Sequence, residues 1–246
     1  MNKIYSSLVL TLLATTTFAQ IKFAPEVGIN MGMQTIRTMS QQSSSVSSSF
    51  TESSKLSPGF TAGLNLDIKI LRNLYVNTGT FYVFDNIKYA QNIDFTKYGL
   101  GSVSSTTHNR LHYIKVPLYI MYKSGFEGMG RFTAGIGMYA AYAVGGNSVQ
   151  SIPDTIYDIE NQKVSLAYMN SNTEMKFGND PLKDNLRRWD YGLNACIGYE
   201  ANVGLYFRGT VNYGLVNLDP ANVSDKRIRN WGFGLSIGYL IGKDNW

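Results

Sequence analysis

The stretch WGFGLSIGYLIG, residues 231–242, sets bulky apolar side chains alternately against glycine and serine. Successive side chains of a strand leave opposite faces, so this pattern describes a β-strand with one apolar and one nearly bare face. In a soluble sheet the face opposite the core usually carries charge to meet water. Here it carries almost none, and any fold for the chain must say what lies against it.

Period-two patterning predicts eight strands, at about 22–33, 59–70, 74–84, 111–122, 131–144, 188–200, 205–216 and 230–241. Each reaches the roughly 9–11 residues that a tilted strand needs to cross a bilayer. The connections alternate in length. Leu71-Arg72-Asn73, KSGFEGMG and ANVG are short, while 34–58, 85–110, 145–187 and 217–229 are long. Antiparallel neighbours joined this way place the tight turns at one end and the long loops at the other, as in transmembrane barrels. The expected fold is therefore all-β: an eight-stranded antiparallel transmembrane barrel with short periplasmic turns and long extracellular loops. The serine-rich SQQSSSVSSSFTESS of the first long loop has too little apolar surface to fix a conformation. The loop at 145–187 has Ile156, Tyr157, Val164, Leu166 and Tyr168 from which to build a small cap.

The N-terminus supports export. Lys3, the apolar run from Ile4 to Leu13 and the small Ala19 form the layout of a signal peptide over 1–19, leaving a barrel domain over 20–246. No 18-residue apolar stretch follows, so no transmembrane helix is available. Charged residues make up 16%, against about 25% in ordinary soluble domains. Without Lys3 the formal charge is 21 − 17 = +4, too mild and scattered to point to nucleic acid. The lone Cys196 excludes an intrachain disulfide and offers no metal cluster.

The alternation sorts the faces. One carries residues such as Val27, Ile29, Leu64, Leu118, Ile120, Ile136, Leu193, Ile197 and Leu235. The other carries glycine, asparagine and serine, with nine charges: Glu26, Asp67, Lys69, Lys115, Arg131, Arg188, Asp190, Glu200 and Arg208. Five are positive and four negative. Charges sealed in a narrow barrel must pair, and an eight-stranded lumen is just filled by side chains. The reading is a polar lumen whose glycines and serines make room for long basic side chains, with the apolar face on lipid. Two aromatic girdles are expected at the interfaces. Phe60, Tyr82, Phe84, Tyr142, Trp189, Tyr191 and Trp231 form the loop-side one; Phe23, Tyr122, Phe132, Tyr199, Phe207 and Tyr239 form the turn-side one. The competing arrangement is a soluble secreted barrel or sandwich with the apolar face inward.

Catalytic chemistry finds little support. His108 lies in a long loop and His112 at a strand end, with no serine or acid recognisably placed to complete a relay. Asp190 and Glu200 are ten residues apart on one strand, roughly 33 Å, too far to work as a pair. The expectation is no enzyme, no cofactor and no metal, with negligible conductance. Arg187-Arg188 and Lys226-Arg227-Ile228-Arg229 fall at the outer rims, able to touch lipid phosphates, a partner or only solvent. Asn222-Val223-Ser224 fits a glycosylation sequon, of little weight in a bacterial host.

LHYIKVPLYIMYK (111–123), RFTAGIGMYAAYAVGG (131–146), RRWDYGLNACIGYE (187–200) and the closing SIGYLIG (236–242) resemble the PorT-like outer-membrane β-barrel proteins of Bacteroidetes. The shared marks are the Val116-Pro117-Leu118 step and the Asp190-Tyr191-Gly192 opening. The resemblance implies a bacterial outer-membrane location and, by analogy with one member, an accessory role in type IX protein secretion. It implies outer-membrane lipid and other secretion-system or outer-membrane proteins as partners. The family usually has an acid where this chain has Lys115, which implies compensating acids such as Asp67 or Asp190 nearby. Asp154-Thr155-Ile156 matches an O-glycosylation signal of that phylum. The remaining readings are a lipid-modifying enzyme using His112, or a surface adhesin or receptor acting through the long loops.

Overall fold

Alternating burial runs along strand after strand in a computed structural model of the chain, which describes residues 21–38, 50–94, 102–126, 129–158, 163–221 and 226–242. The strands are β1 (Ile21–Thr38), β2 (Phe50–Lys55), β3 (Ser57–Lys69), β4 (Leu74–Asp94), β5 (Ser102–Phe126), β6 (Gly130–Asp158), β7 (Lys163–Glu174), β8 (Trp189–Glu200), β9 (Leu205–Gly214) and β10 (Lys226–Tyr239). All pair antiparallel. The pairings run β1–β3–β4–β5–β6–β8–β9–β10 and return to β1. The sheet closes on itself, and closure leaves no unpaired edge within the ring.

β2 and β7 lie outside that ring, on the loop-side extensions of β4 and β6. Here the structure departs from the expected strand limits. Segments 85–110 and 145–187, read as loops, are largely strand: β4 and β5 stay paired out to Asp94↔Ser102, and β6 and β7 out to Asp158↔Lys163. The expected limits followed the end of the apolar alternation. Outside a membrane a ladder needs only paired backbone, so serine, threonine and asparagine continue it without a greasy face. The serine-rich loop core, the proposed leader and the sequon lie outside the described residues.

Two of the turns lie wholly within the described residues. β3 passes to β4 through Ile70–Asn73, and β8 to β9 through Ala201–Gly204, where Gly204 adopts φ +90 and donates its N–H to Ala201. That φ lies in the left-handed region open to glycine at no steric cost. Pro117 cannot donate to a ladder, and the β4–β5 register skips the pairs opposite Val116-Pro117; Thr78 Oγ1 instead donates to the Pro117 carbonyl at 2.7 Å.

The apolar face points outward. Ile136 and Ile197 are each 71% exposed and Leu235 66%, with Val27, Ile29, Leu64, Leu118 and Ile120 also exposed. An exposed apolar surface on every strand of the closed ring except β4, where Tyr82 and Phe84 are partly exposed, far exceeds the patches that soluble monomers expose, and it excludes the inward-facing alternative. Among the described residues no helix is long and apolar enough to cross a membrane.

The inward face differs from the expected one in what its glycines do. Tyr139 lies directly across from Gly192, Tyr119 from Gly137, Phe81 from Gly63 and Tyr206 from Gly238. A Cβ on Gly192 would sit 2.5 Å from Cε1 of Tyr139, and one on Gly63 2.6 Å from Cδ1 of Phe81. At Gly63, Gly192 and Gly238 the bare position accommodates the inward aromatic ring folded over it. This corrects the view that glycine mainly clears space for lysine and arginine.

Candidate functional site: the polar lumen and its two ends

The turn-side half of the lumen is filled by an ion-paired network. Lys123 Nζ lies 2.5 Å from Asp67 Oδ2 and 2.7 Å from Glu200 Oε2, and Arg131 Nη2 lies 2.5 Å from Glu200 Oε1. Arg208 Nη1 is 3.2 Å from Glu26 Oε2. The hydroxyls of Tyr206 and Ser236 each donate to Glu26 at 2.6 Å, Arg131 donates to the Tyr75 hydroxyl at 3.0 Å, and Arg208 donates to Asn77 at 3.3 Å. The Lys123 ammonium also lies over the Tyr75 ring, and the Arg208 guanidinium over that of Tyr206. Three acids (Glu26, Asp67, Glu200) meet three bases (Lys123, Arg131, Arg208), all buried. Charges held from water in this way are stable only when paired and hydrogen-bonded on their remaining atoms.

The loop-side end is closed differently. Met175, Phe177, Leu186 and Leu218 turn inward and pack with Ile87, Leu111 and Tyr113 in one buried apolar cluster. Backbone bonds fix this cap: Met175 N–H to Gly146, Gly178 N–H to Leu186, and Arg187 N–H to Leu218. A cap was expected from the 145–187 loop, but with other residues. Ile156, Tyr157, Val164 and Leu166 instead belong to the β6–β7 hairpin.

Between cap and network lies a cavity of about 110 Å³. Asp85, Lys115, Tyr139, Asp190 and Asn212 line it. Lys115 Nζ donates to Asn212 Oδ1 at 2.7 Å and sits 4.1 Å from the Tyr139 ring centroid. Asp190 accepts from Asn230 Nδ2 at 2.8 Å and from the Tyr139 hydroxyl at 3.1 Å, while its Oδ1 is buried without a hydrogen-bond partner. Of the two acids implied for Lys115, Asp190 faces the same cavity, whereas Asp67 is taken by Lys123 in the lower network.

The nine charged positions are thus distributed unevenly. Glu26, Asp67, Arg131, Glu200 and Arg208 meet in the network, and Lys115 and Asp190 share the cavity. Lys69 is half-exposed at the turn-side end of β3. Arg188 is not a lumen residue. It precedes β8, is exposed, and bonds the Tyr142 hydroxyl at 3.1 Å and the Phe177 carbonyl at 2.9 Å. Ahead of the strand its side chain is free of the alternation and swings to the rim. Lys123, Asp85 and the inward tyrosines were not among the expected residues. Lys123, Tyr119 and Tyr113 share the parity of Lys115 along β5, which is the signal that identifies them.

The expected girdle residues line the outward face. Phe60 packs against Tyr82 and Phe84, Tyr142 against Trp189, and Phe132 against Tyr199, with ring centroids 4.9–5.8 Å apart. Trp189 stacks on Tyr191, and Trp231 packs edge-on to Phe233. Tyr122, Phe207 and Tyr239 are exposed at the turn side. His112 lies among the loop-side rings, its Nδ1 hydrogen-bonded to the Tyr82 hydroxyl at 2.5 Å. Its ring contacts are with Tyr82 and Phe84. Among the described residues no group of three or more His, Cys, Asp or Glu is placed to hold a metal ion.

A family model described as an outer membrane protein beta-barrel domain matches residues 18–219. A comparison with curated proteins gave no match. Solved structures with a similar trace include the outer membrane protein OprG of Pseudomonas aeruginosa, at 10% identity over 90% of this chain and 96% of that one, TM-score 0.42. Ail of Yersinia pestis aligns at 11% identity over 89% and 98%, TM-score 0.35, and Neisserial surface protein A at 11% over 90% and 97%, TM-score 0.37. With an outward apolar band on a closed antiparallel sheet and a family match across most of its length, the chain belongs to the outer-membrane β-barrel domain family and resides in the bacterial outer membrane.

Proposed function

We propose that this non-enzymatic outer-membrane barrel acts as a structural, partner-binding protein rather than a pore. The observation that carries the reading is the lumen, stopped at one end by three acids paired with three bases and at the other by an apolar cap. A path for solutes would cross both. Reconstituted in planar bilayers, the protein is expected to give negligible single-channel current; large, stable steps would overturn the closed-lumen reading.

In the finer form of this proposal the closed ring is the eight-stranded membrane barrel, and the aromatic rings settle at the two interfaces. Seven of the nine charges, without Arg188 and Lys69 and joined by Lys123, serve as its internal brace. Residues 1–19 are removed as a signal peptide, and the β4–β5 and β6–β7 hairpins extend outside the cell. The resemblance to PorT-like barrels makes an accessory role in type IX secretion the specific version. A pull-down from detergent-solubilised membranes is expected to recover secretion-system proteins, and deletion to impair cargo export. Normal export with no stable partner would remove that version. The length of the paired hairpins favours one second reading, a surface adhesin, in which trimming 145–174 abolishes cell binding.

A further inference from the structure

In the lumen network three acids meet three bases, but among the described residues the outward charges at the loop-side rim do not balance. Immediately beyond the loop-side rings, outward strand positions carry Lys88, Arg110, Arg227 and Arg229, and the exposed Arg188 joins them from just ahead of β8. Among the described residues one outward carboxylate stands at this level, Glu174 of β7, across from Asn147. The nearby cap acids are engaged locally: Asp180 pairs with Lys183 and accepts from the Leu182 N–H, and Asp184 accepts from the Asp180 N–H. His108 registers the same excess. Burial, then the Lys88 ammonium and the Arg110 guanidinium, hold its pKa below the ordinary histidine value.

Two of these side chains are oriented by the membrane-facing rings beneath them. Arg188 Nη1 donates to the Tyr142 hydroxyl, and Arg229 Nη1 donates to the Tyr213 hydroxyl, each at 3.1 Å. Tyr142 is on β6 and Tyr213 on β9, with β8 between them. That interval carries Trp189 and Tyr191, stacked within 3° of parallel and each 48% exposed. Each guanidinium spends one or two of its five N–H donors on the protein. Donors fixed in a fork just above an aromatic interface suit phosphate oxygens, which arginine binds bidentately.

The geometry points to the β6–β8–β9–β10 flank of the loop-side rim as a docking site for a phosphate-bearing glycolipid of the outer leaflet, with Arg188 and Arg229 holding the phosphates and the Trp189–Tyr191 pair lying beneath the headgroup. Lipid is the occupant that fits because the cationic positions adjoin the apolar band without a break, so a ligand here needs anionic groups above and acyl chains below. This site is separate from the lumen and survives any outcome of the conductance test.

The test uses the full-length protein in phosphatidylcholine nanodiscs, titrated with bisphosphorylated lipid A or with the same lipid after removal of its phosphates, and lipid retained per protein is read by native mass spectrometry. Phosphorylated lipid A is expected to be retained about tenfold more strongly, a preference that Arg188→Ala with Arg229→Ala reduces by about tenfold and the paired lysine substitutions only partly restore. Arg72→Ala, on the turn-side β3–β4 connection, is the control and leaves retention unchanged. Heat-modifiable migration on gels establishes that each variant is folded. Equal retention of the two lipids, an undiminished preference in the double alanine variant, an equal loss with Arg72→Ala, or displacement of the lipid by free phosphate would overturn the assignment.

Discussion

Replacing Lys123 with methionine is expected to destabilise the barrel by about 3–5 kcal/mol, read as a fall in the urea midpoint of unfolding from lipid vesicles at unchanged slope. Lys123 bridges two acids, so its loss strands both at once. Their remaining partners are unequal. Glu200 keeps Arg131 at 2.5 Å, whereas Asp67, 2% exposed, keeps the Asn77 amide at 3.4 Å and has the buried Lys22 directly across from it on β1. The cost arises at both acids, each of which loses a buried ammonium. Adding Asp67→Asn to the methionine variant removes the stranded charge and is expected to recover about 1–3 kcal/mol, a coupling that independent sites would not show. If Lys123→Met alone is nearly neutral, water reaches Asp67 and the network is no plug.

The sorting of faces was legible in the sequence because period two is a local property: Leu118 out and Lys115 in follow from one strand alone. Pairing across strands is not local. That Gly192 lies beside Tyr139 and Gly238 beside Tyr206 depends on register, which no single strand encodes, so the glycines were assigned to the wrong companions. Strand ends were the other weakness. Lys123 fell one residue beyond the expected fourth segment and was missed, although it bridges two of the network's acids. Arg188 was the first residue of the expected sixth segment and was placed in the lumen, although the structure sets it at the rim. The extensions of β4 to β7 were invisible for a related reason. Outside the bilayer a hairpin is held by backbone pairing, and its side chains lack the contrast that marks a membrane strand.

Ile136→Arg is expected to cost about 2–4 kcal/mol in the same vesicle unfolding assay, the penalty for a charge at mid-bilayer depth on a barrel's lipid face. Ile136 suits the purpose because it packs on little that an arginine would disturb. It is 71% exposed, its cross-strand neighbours are Ile120 and Ala195, and it lies between Phe132 and Tyr142 along β6. A truncation such as Ile136→Ala removes only a contact with lipid and should cost far less than the arginine. Val144→Arg, one turn of the alternation beyond Tyr142 and also exposed, moves the same charge toward the interface, where the cost falls to about 0–1 kcal/mol. The gradient between the two positions is therefore what identifies the bilayer. Packing strain would scale with local crowding, and at two open outward sites it would give no gradient at all. Equal, small costs at both positions would mean that the outward face meets water, and the membrane reading of the fold would fail with it.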